Sequence, residues 1–174
     1  MRFFHLSIIF FAFGLLACDQ PAVETPSSSP APPPIDVASE IAAIKQVILN
    51  QTKAFVNRDV DGMVAYHTDP AQVIQNVFGQ TDILSATMPH NVMKDELSKY
   101  FNAVPPSEVR TDEVITDWNI RLSDDGSMAW ATYKSQIKRS KDSFTNEEIR
   151  ILERVDGTWK LALVSTLIGP MQAS

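Results

Sequence analysis

The side chains best suited to acid–base chemistry in this chain are His67 and Asp69. An imidazole titrates near neutrality, and a carboxylate beside it can share the proton traffic of a reaction. The two stand two positions apart at what reads as the end of a helix, a spacing that does not require them to face each other. Asp69 precedes Pro70, which is also how a plain turn is written. His90 follows Pro89 at a predicted helix start, and 22 residues separate it from His67 with no H-x-H or H-x-x-x-H spacing. Cys18 is the single cysteine. A Cys-rich zinc site and an intrachain disulfide are therefore excluded, and neither a metal nor another cofactor is expected. Trp118, Trp130 and Trp159 fall on three predicted strands, where each suits either a core or a pocket wall that stacks on a flat ligand. Trp118, Trp130 and Tyr133 are the candidates for such a wall. Glu147, Glu148, Arg150, Glu153 and Arg154 crowd one strand and read as a solvated sheet face with cross-strand pairs; Arg150 also suits an interface.

The 174 residues are 44% hydrophobic and 21% charged, the composition of a globular domain. A net charge of -6 disfavours nucleic acid, whose phosphates call for clustered Lys and Arg. Six of the 11 prolines lie between Pro21 and Pro34, so the composition breaks there and divides the chain into three pieces.

Residues 1–17 carry one positive charge, Arg2, then a short apolar run ending in Ala17. The run is shorter than the ~20 residues a membrane span needs and has the layout of a secretory signal. Leu15-Leu16-Ala17-Cys18 resembles the lipobox of bacterial lipoproteins. That resemblance implies cleavage before Cys18, acylation of its thiol, and a place on the cell envelope facing the periplasm. Acyl chains contribute about 0.8 kcal/mol per buried CH₂, and two or more anchor stably. Asp19 resembles an inner-membrane retention signal, although the choice between inner and outer membrane stays open. Residues 18–36 hold that cysteine and a Pro/Ser/Ala-rich spacer of polyproline character, long enough to lift the domain about 50 Å from the bilayer.

Residues 37–174 form the domain. Ile41, Ile44, Ile48 and Phe55 mark the apolar stripe of a first helix, with Asp36 as its N-cap and Glu40 in its first turn. A second short helix runs from Asp59 or Asp61 through Tyr66, stopped by Thr68-Asp69-Pro70. Gln72 to Phe78 reads as a short strand turned by Gly79. A third helix begins at Pro89 and ends at Pro105-Pro106. Strands follow: Val114 to Leu122 in a strict period of two, Met128 to Lys138 with Trp130 and Tyr133 on opposite faces, Phe144 to Glu153, and Trp159 to Ile168. Asp124-Asp125-Gly126 and Asp156-Gly157 are the turns between them. Helices first and an antiparallel meander after predict an α+β fold without a βαβ nucleotide site.

This order resembles the nuclear transport factor 2-like (NTF2-like, cystatin-like) superfamily, and within it the SnoaL-like or DUF4440-like group. The matching stretches are RDVDGMVAYHTDPAQV, AWATYK and ILERVDGTWKLALV, spread over Ile41 to Ile168. The resemblance implies a cone, with N-terminal helices packed on a curved antiparallel sheet and a pocket at the open end. It also implies a homodimer through the outer sheet face. Ketosteroid isomerase-like relatives place a carboxylate base where this chain has Gln75 and Asn76, and a tyrosine near the place of Gln51. An amide is not a base, so that chemistry is not expected here.

Two readings remain. The first is a lipid-tethered domain that binds a small apolar ligand or a protein partner without catalysis. The second is a cyclase, dehydratase or isomerase of the SnoaL-like kind using His67 and Asp69. For the anchor, Cys18→Ser is expected to abolish lipid labelling with palmitate and to release the processed protein from membranes. Undiminished membrane retention of a processed mutant would contradict it.

Overall fold

The computed structural model describes residues 35–77, 83–106, 112–139, 142–170 and 172–173. Phe78 and Gly79, and the signal and spacer through Pro34, lie outside the described residues. Helix α1 spans Val37–Val56, and the Asp36 side chain accepts the Ser39 amide at 3.2 Å as the expected N-cap. Helix α2 spans Val60–Ala65, capped in the same way by Asp59 on the Gly62 amide. Strands β1 (His67–Val77) and β2 (Ile83–Met88) form a hairpin, and α3 (His90–Ala103) follows. Strands β3 (Asp112–Leu122), β4 (Met128–Lys138), β5 (Asp142–Val155) and β6 (Thr158–Ile168) are the predicted meander. A two-residue β7 (Gln172–Ala173) pairs with the start of β5.

The sheet order is β2-β1-β6-β5-β4-β3. The result is the α+β, NTF2-like (cystatin-like) arrangement, with one difference from an all-antiparallel sheet. Strand β1 lies parallel to β6, because the chain passes through α3 and the whole meander before returning to it. Three further differences have local causes. Strand β1 begins at His67 rather than Gln72, so His67 and Asp69 sit in a strand and not at a helix end. Strand β2 was not anticipated: Ser85, Ala86 and Thr87 carry little apolar alternation, and cross-strand bonds such as Thr87 to Gln72 hold it. The strict period of two in β3 is broken at a bulge between Thr116 and Asn119, where Asp117 takes a positive φ of 56°. Before the bulge Ile115 faces inward and Val114 outward; beyond it Trp118, Ile120 and Leu122 face the core.

The main core joins Ile44 and Ile48 of α1 to Ala129, Ala131 and Tyr133 of β4, Leu152 of β5, and Trp159 and Leu161 of β6. The two alanines leave room for the helix to approach the sheet. Trp159 belongs to this core. It is 4% exposed, and its Nε1 donates to Glu40 Oε2 at 2.7 Å. Arg154 stacks 4.6 Å from the Trp159 ring and pairs with the same carboxylate, so the first turn of α1 is tied to the β5–β6 hairpin. At that hairpin Asp156 and Gly157 both take positive φ, as a tight two-residue turn requires. Among the described residues no helix is long and apolar enough to cross a membrane.

Ile48 is fully buried between helix and sheet. Ile48→Ala is expected to lower unfolding free energy by about 2–5 kcal/mol, through lost burial plus a residual cavity. Urea denaturation of the two proteins checks this; a difference below about 1 kcal/mol would place Ile48 outside the core.

Candidate functional site

The inner face of the sheet is covered by two different stretches of α1. Ile44 and Ile48 cover the end carrying Leu152 and Leu161. One turn further, the helix presents Gln51, Thr52 and Phe55, and between them and the sheet lies a cavity of about 420 Å³. Met63 of α2, Met93 and Leu97 of α3, and Val73, Met88 and Ile168 of the strands supply its apolar wall. Its polar groups are Gln51, His67, Gln75, Arg139, Asn146, Arg150 and Thr166, with Glu96 also on the lining.

Strand alternation explains the polar floor. On β5, Asn146, Glu148, Arg150 and Leu152 are buried on the inner face, while Glu147 and Ile149 are exposed on the outer one. The charged run is thus not a solvated face throughout, because its even-numbered half points inward. Glu148 is 3% exposed and Arg150 6%. The Glu148 carboxylate pairs with Arg150 Nη1 at 2.8 Å and accepts from Thr166 Oγ1 at 2.7 Å and Asn146 Nδ2 at 3.2 Å. Arg150 Nη1 also donates to the carbonyls of Ile149 and Ser165, and the guanidinium lies 5.5 Å from the Tyr133 ring. Burial pulls the Arg150 pKa down, but the charges of Tyr133 and Glu148 outweigh it and hold the group above its ordinary value. Arg150 Nε and Asn146 Oδ1 are buried with no hydrogen-bond partner.

The candidates foreseen in the sequence are distributed differently. His67 is 3% exposed and lines the cavity. Its Nδ1 lies 3.0 Å from the Met63 carbonyl oxygen, which can only accept, so Nδ1 carries the proton and Nε2 is the ring's acceptor. Burial pushes the His67 pKa down to about 4 against the opposing pull of the Met63 carbonyl, so the ring is neutral at pH 7. Asp69 is not with it. It is 55% exposed, accepts the His90 amide at 2.9 Å and lies 3.8 Å from His90 Nδ1, at the start of α3. The register shift in β1 between His67 and Gln72 separates two residues that a regular strand would put on one face.

The aromatic candidates also lie elsewhere: none of Trp118, Trp130 and Tyr133 is on the cavity wall. Trp118 stacks on Tyr133 with ring centroids 4.7 Å apart at the main core. Trp130 is 42% exposed on the outer sheet face. Gln51 and Gln75 do reach the cavity, so the places compared with a tyrosine and a carboxylate base hold amides. The Asn76 side chain lies outside the described residues. No group of three or more His, Cys, Asp or Glu side chains able to hold a metal occurs among the described residues. Sequence reasoning missed Asn146, Glu148 and Arg150 as site residues. The signal that could have found them is their parity with Leu152 along β5.

No protein-family model and no curated protein sequence matches the chain. Solved structures do match its fold. An NTF2-like protein of Shewanella oneidensis superposes with a TM-score of 0.54 at 17% identity, covering 73% of this chain and 98% of that one. A cystatin-like protein of Nostoc punctiforme gives 0.58 at 11% identity, covering 76% and 93%. A candidate scytalone dehydratase of Novosphingobium aromaticivorans gives 0.60 at 12% identity, covering 79% and 89%. The chain therefore has the NTF2-like fold. At these identities the likeness is one of architecture, and proteins of this architecture differ in what they do.

The buried His67 has a consequence for stability. Above about pH 6.5 the ring is neutral in both folded and unfolded chains, and its contribution is complete. As pH falls from 6.5 towards 4 the unfolded chain takes up a proton that the folded one refuses. Stability is lost across that window, by on the order of 3 kcal/mol. Urea titrations between pH 7.5 and 4 are expected to show this slope in the native protein and a flatter one in His67→Gln. Parallel slopes in the two proteins would mean that His67 titrates normally.

Proposed function

We propose that this chain is a lipid-tethered, extracytoplasmic binding protein that holds a small, largely apolar molecule in the α1–sheet cavity. Acylated Cys18 anchors it to the bacterial envelope, residues 19–36 space it from the bilayer, and residues 37–174 bind. The observation that carries this reading is the cavity itself. About 420 Å³ is bounded mainly by Met, Leu, Val, Ile and Phe side chains, with polar groups of helices and strands among them. Pockets that bind small molecules have this constitution. Among the described residues the lining holds no Cys or Ser side chain, and Asp69 is not on it.

One observation favours the enzyme reading: His67 lies on the cavity with an unprotonated ring nitrogen at neutral pH. A lone imidazole can act as a base. Its intended partner Asp69 is engaged with His90 on the surface, so the His67–Asp69 pair does not operate as such.

The same proposal includes a homodimer through the outer sheet face. Met128, Trp130, Ile149 and Leu167 are all 41–47% exposed there, on adjacent strands with one parity. Exposed apolar groups contiguous on a sheet are what an interface buries.

Native mass spectrometry of the full chain released from detergent tests both parts. The expected result is a dimer mass carrying a small-molecule adduct. Trp130→Glu is expected to yield monomer with the adduct retained, since Trp130 is remote from the cavity wall. A ligand-free chain under all conditions, together with turnover that His67→Gln abolishes, would instead establish the enzyme.

A further inference from the structure

The cavity has a charge balance that bears on what it admits. Among the described residues two cations line it, and each has its own carboxylate. Arg139 makes a two-point pair with Asp142, Nε to Oδ1 at 2.6 Å and Nη2 to Oδ2 at 2.7 Å. Arg150 is held by Glu148 at 2.8 Å. The lining's own carboxylate, Glu96, is paired with Lys99 at 2.7 Å, and His67 is neutral at pH 7. Glu113, which accepts a hydrogen bond from Ser135, adds negative charge to the field around Arg150. An anion entering this cavity would bring a charge for which no uncompensated cation stands among the described lining residues, and burying such a charge is strongly unfavourable.

The hydrogen-bonding groups that face the cavity without charge include the amides of Gln51 and Gln75, the Thr166 hydroxyl and the neutral His67 ring. Amides and hydroxyls both donate and accept. Arg150 Nε and Asn146 Oδ1 are buried in the floor beneath them without a partner. A ligand head that reaches the neutral groups loses little when it leaves water, provided it supplies both an acceptor and a donor.

Resting on the binding reading above, we infer that the cavity selects uncharged molecules with an apolar body and a polar head that both accepts and donates hydrogen bonds, such as a primary amide, and rejects carboxylates. Glu148 determines that selection. It cancels the charge of Arg150, turning a potential anion site into a neutral hydrogen-bonding floor.

The experiment uses the full chain in detergent, labelled with ¹³C at the methionine methyl groups. Met63, Met88 and Met93 report from the cavity wall, and Met128 on the outer face serves as the control. Three probes of one shape are titrated at pH 7.5: 4-phenylbutanamide, 4-phenylbutanoate and the headless butylbenzene. In the native protein the amide and the hydrocarbon are expected to move the cavity methyl signals, with the carboxylate at least about tenfold weaker than the amide. In Glu148→Gln the order of amide and carboxylate should reverse, because the Arg150 charge is then uncompensated. Equal affinity of the native protein for amide and carboxylate would overturn the inference, as would an unchanged ratio in a folded Glu148→Gln.

Should Glu148→Gln fail to fold, Gln75→Leu, which removes an amide from the cavity lining, carries the test. It is expected to weaken the amide about tenfold and leave butylbenzene unchanged, and undiminished amide binding would overturn the inference. If butylbenzene, which has no head, also leaves the cavity signals unmoved, the binding reading falls and the inference with it. Butylbenzene binding without head selection removes the inference alone.

Discussion

An ion pair buried on the inner face of the sheet, Glu148 with Arg150, is the constraint around which the candidate site is organised. Neither charge could be tolerated there alone; removing one partner of a buried pair costs about 3–5 kcal/mol. Glu148 therefore accepts two hydrogen bonds beside the ion pair, and Arg150 adds two backbone carbonyls to its carboxylate partner. These bonds draw β5 and β6 side chains into one network and give the cavity a floor whose positions are set by many contacts at once.

The rest of the domain divides along the same line. Where β5 passes from Arg150 to Leu152, the inner face changes from polar to apolar. Helix α1 changes with it: Ile44 and Ile48 close against the apolar part, whereas Gln51 and Thr52 face the cavity. A helix of 20 residues can serve both purposes because its stripe repeats every three to four residues. One part contributes stability through burial and the other borders the cavity. The cavity's far wall is α3, held at its start by Asp69 and at its end by Arg58, which donates to the carbonyls of Phe101 and Val104. Asp69 thus positions a wall of the cavity.

Irregularities in the strands decide which side chains reach that space. The β3 bulge at Asp117 sends Trp118 onto Tyr133 and into the core. The shift in β1 sends His67 inward and Asp69 outward. A bulge reverses the facing of every residue beyond it, so one local feature redirects a whole strand segment.

The sequence by itself determined much of the scaffold. The N-cap at Asp36, the apolar stripe through Ile44 and Ile48, the meander and the Asp156-Gly157 turn were legible because each depends on neighbours a few residues away. Strand β2 and the parallel pairing of β1 with β6 were not. They arise from partners distant along the chain, and a stretch such as Ser85-Ala86-Thr87 carries no periodic signal of its own. The site followed the same division. His67 was nameable from its chemistry, but its separation from Asp69 was a matter of strand register. The charged run of β5 looked like a surface because composition does not reveal which parity points inward. Only tertiary structure, by packing Leu152 into the core and carrying Glu148 and Arg150 inward with it, turned those charges into the floor of a cavity.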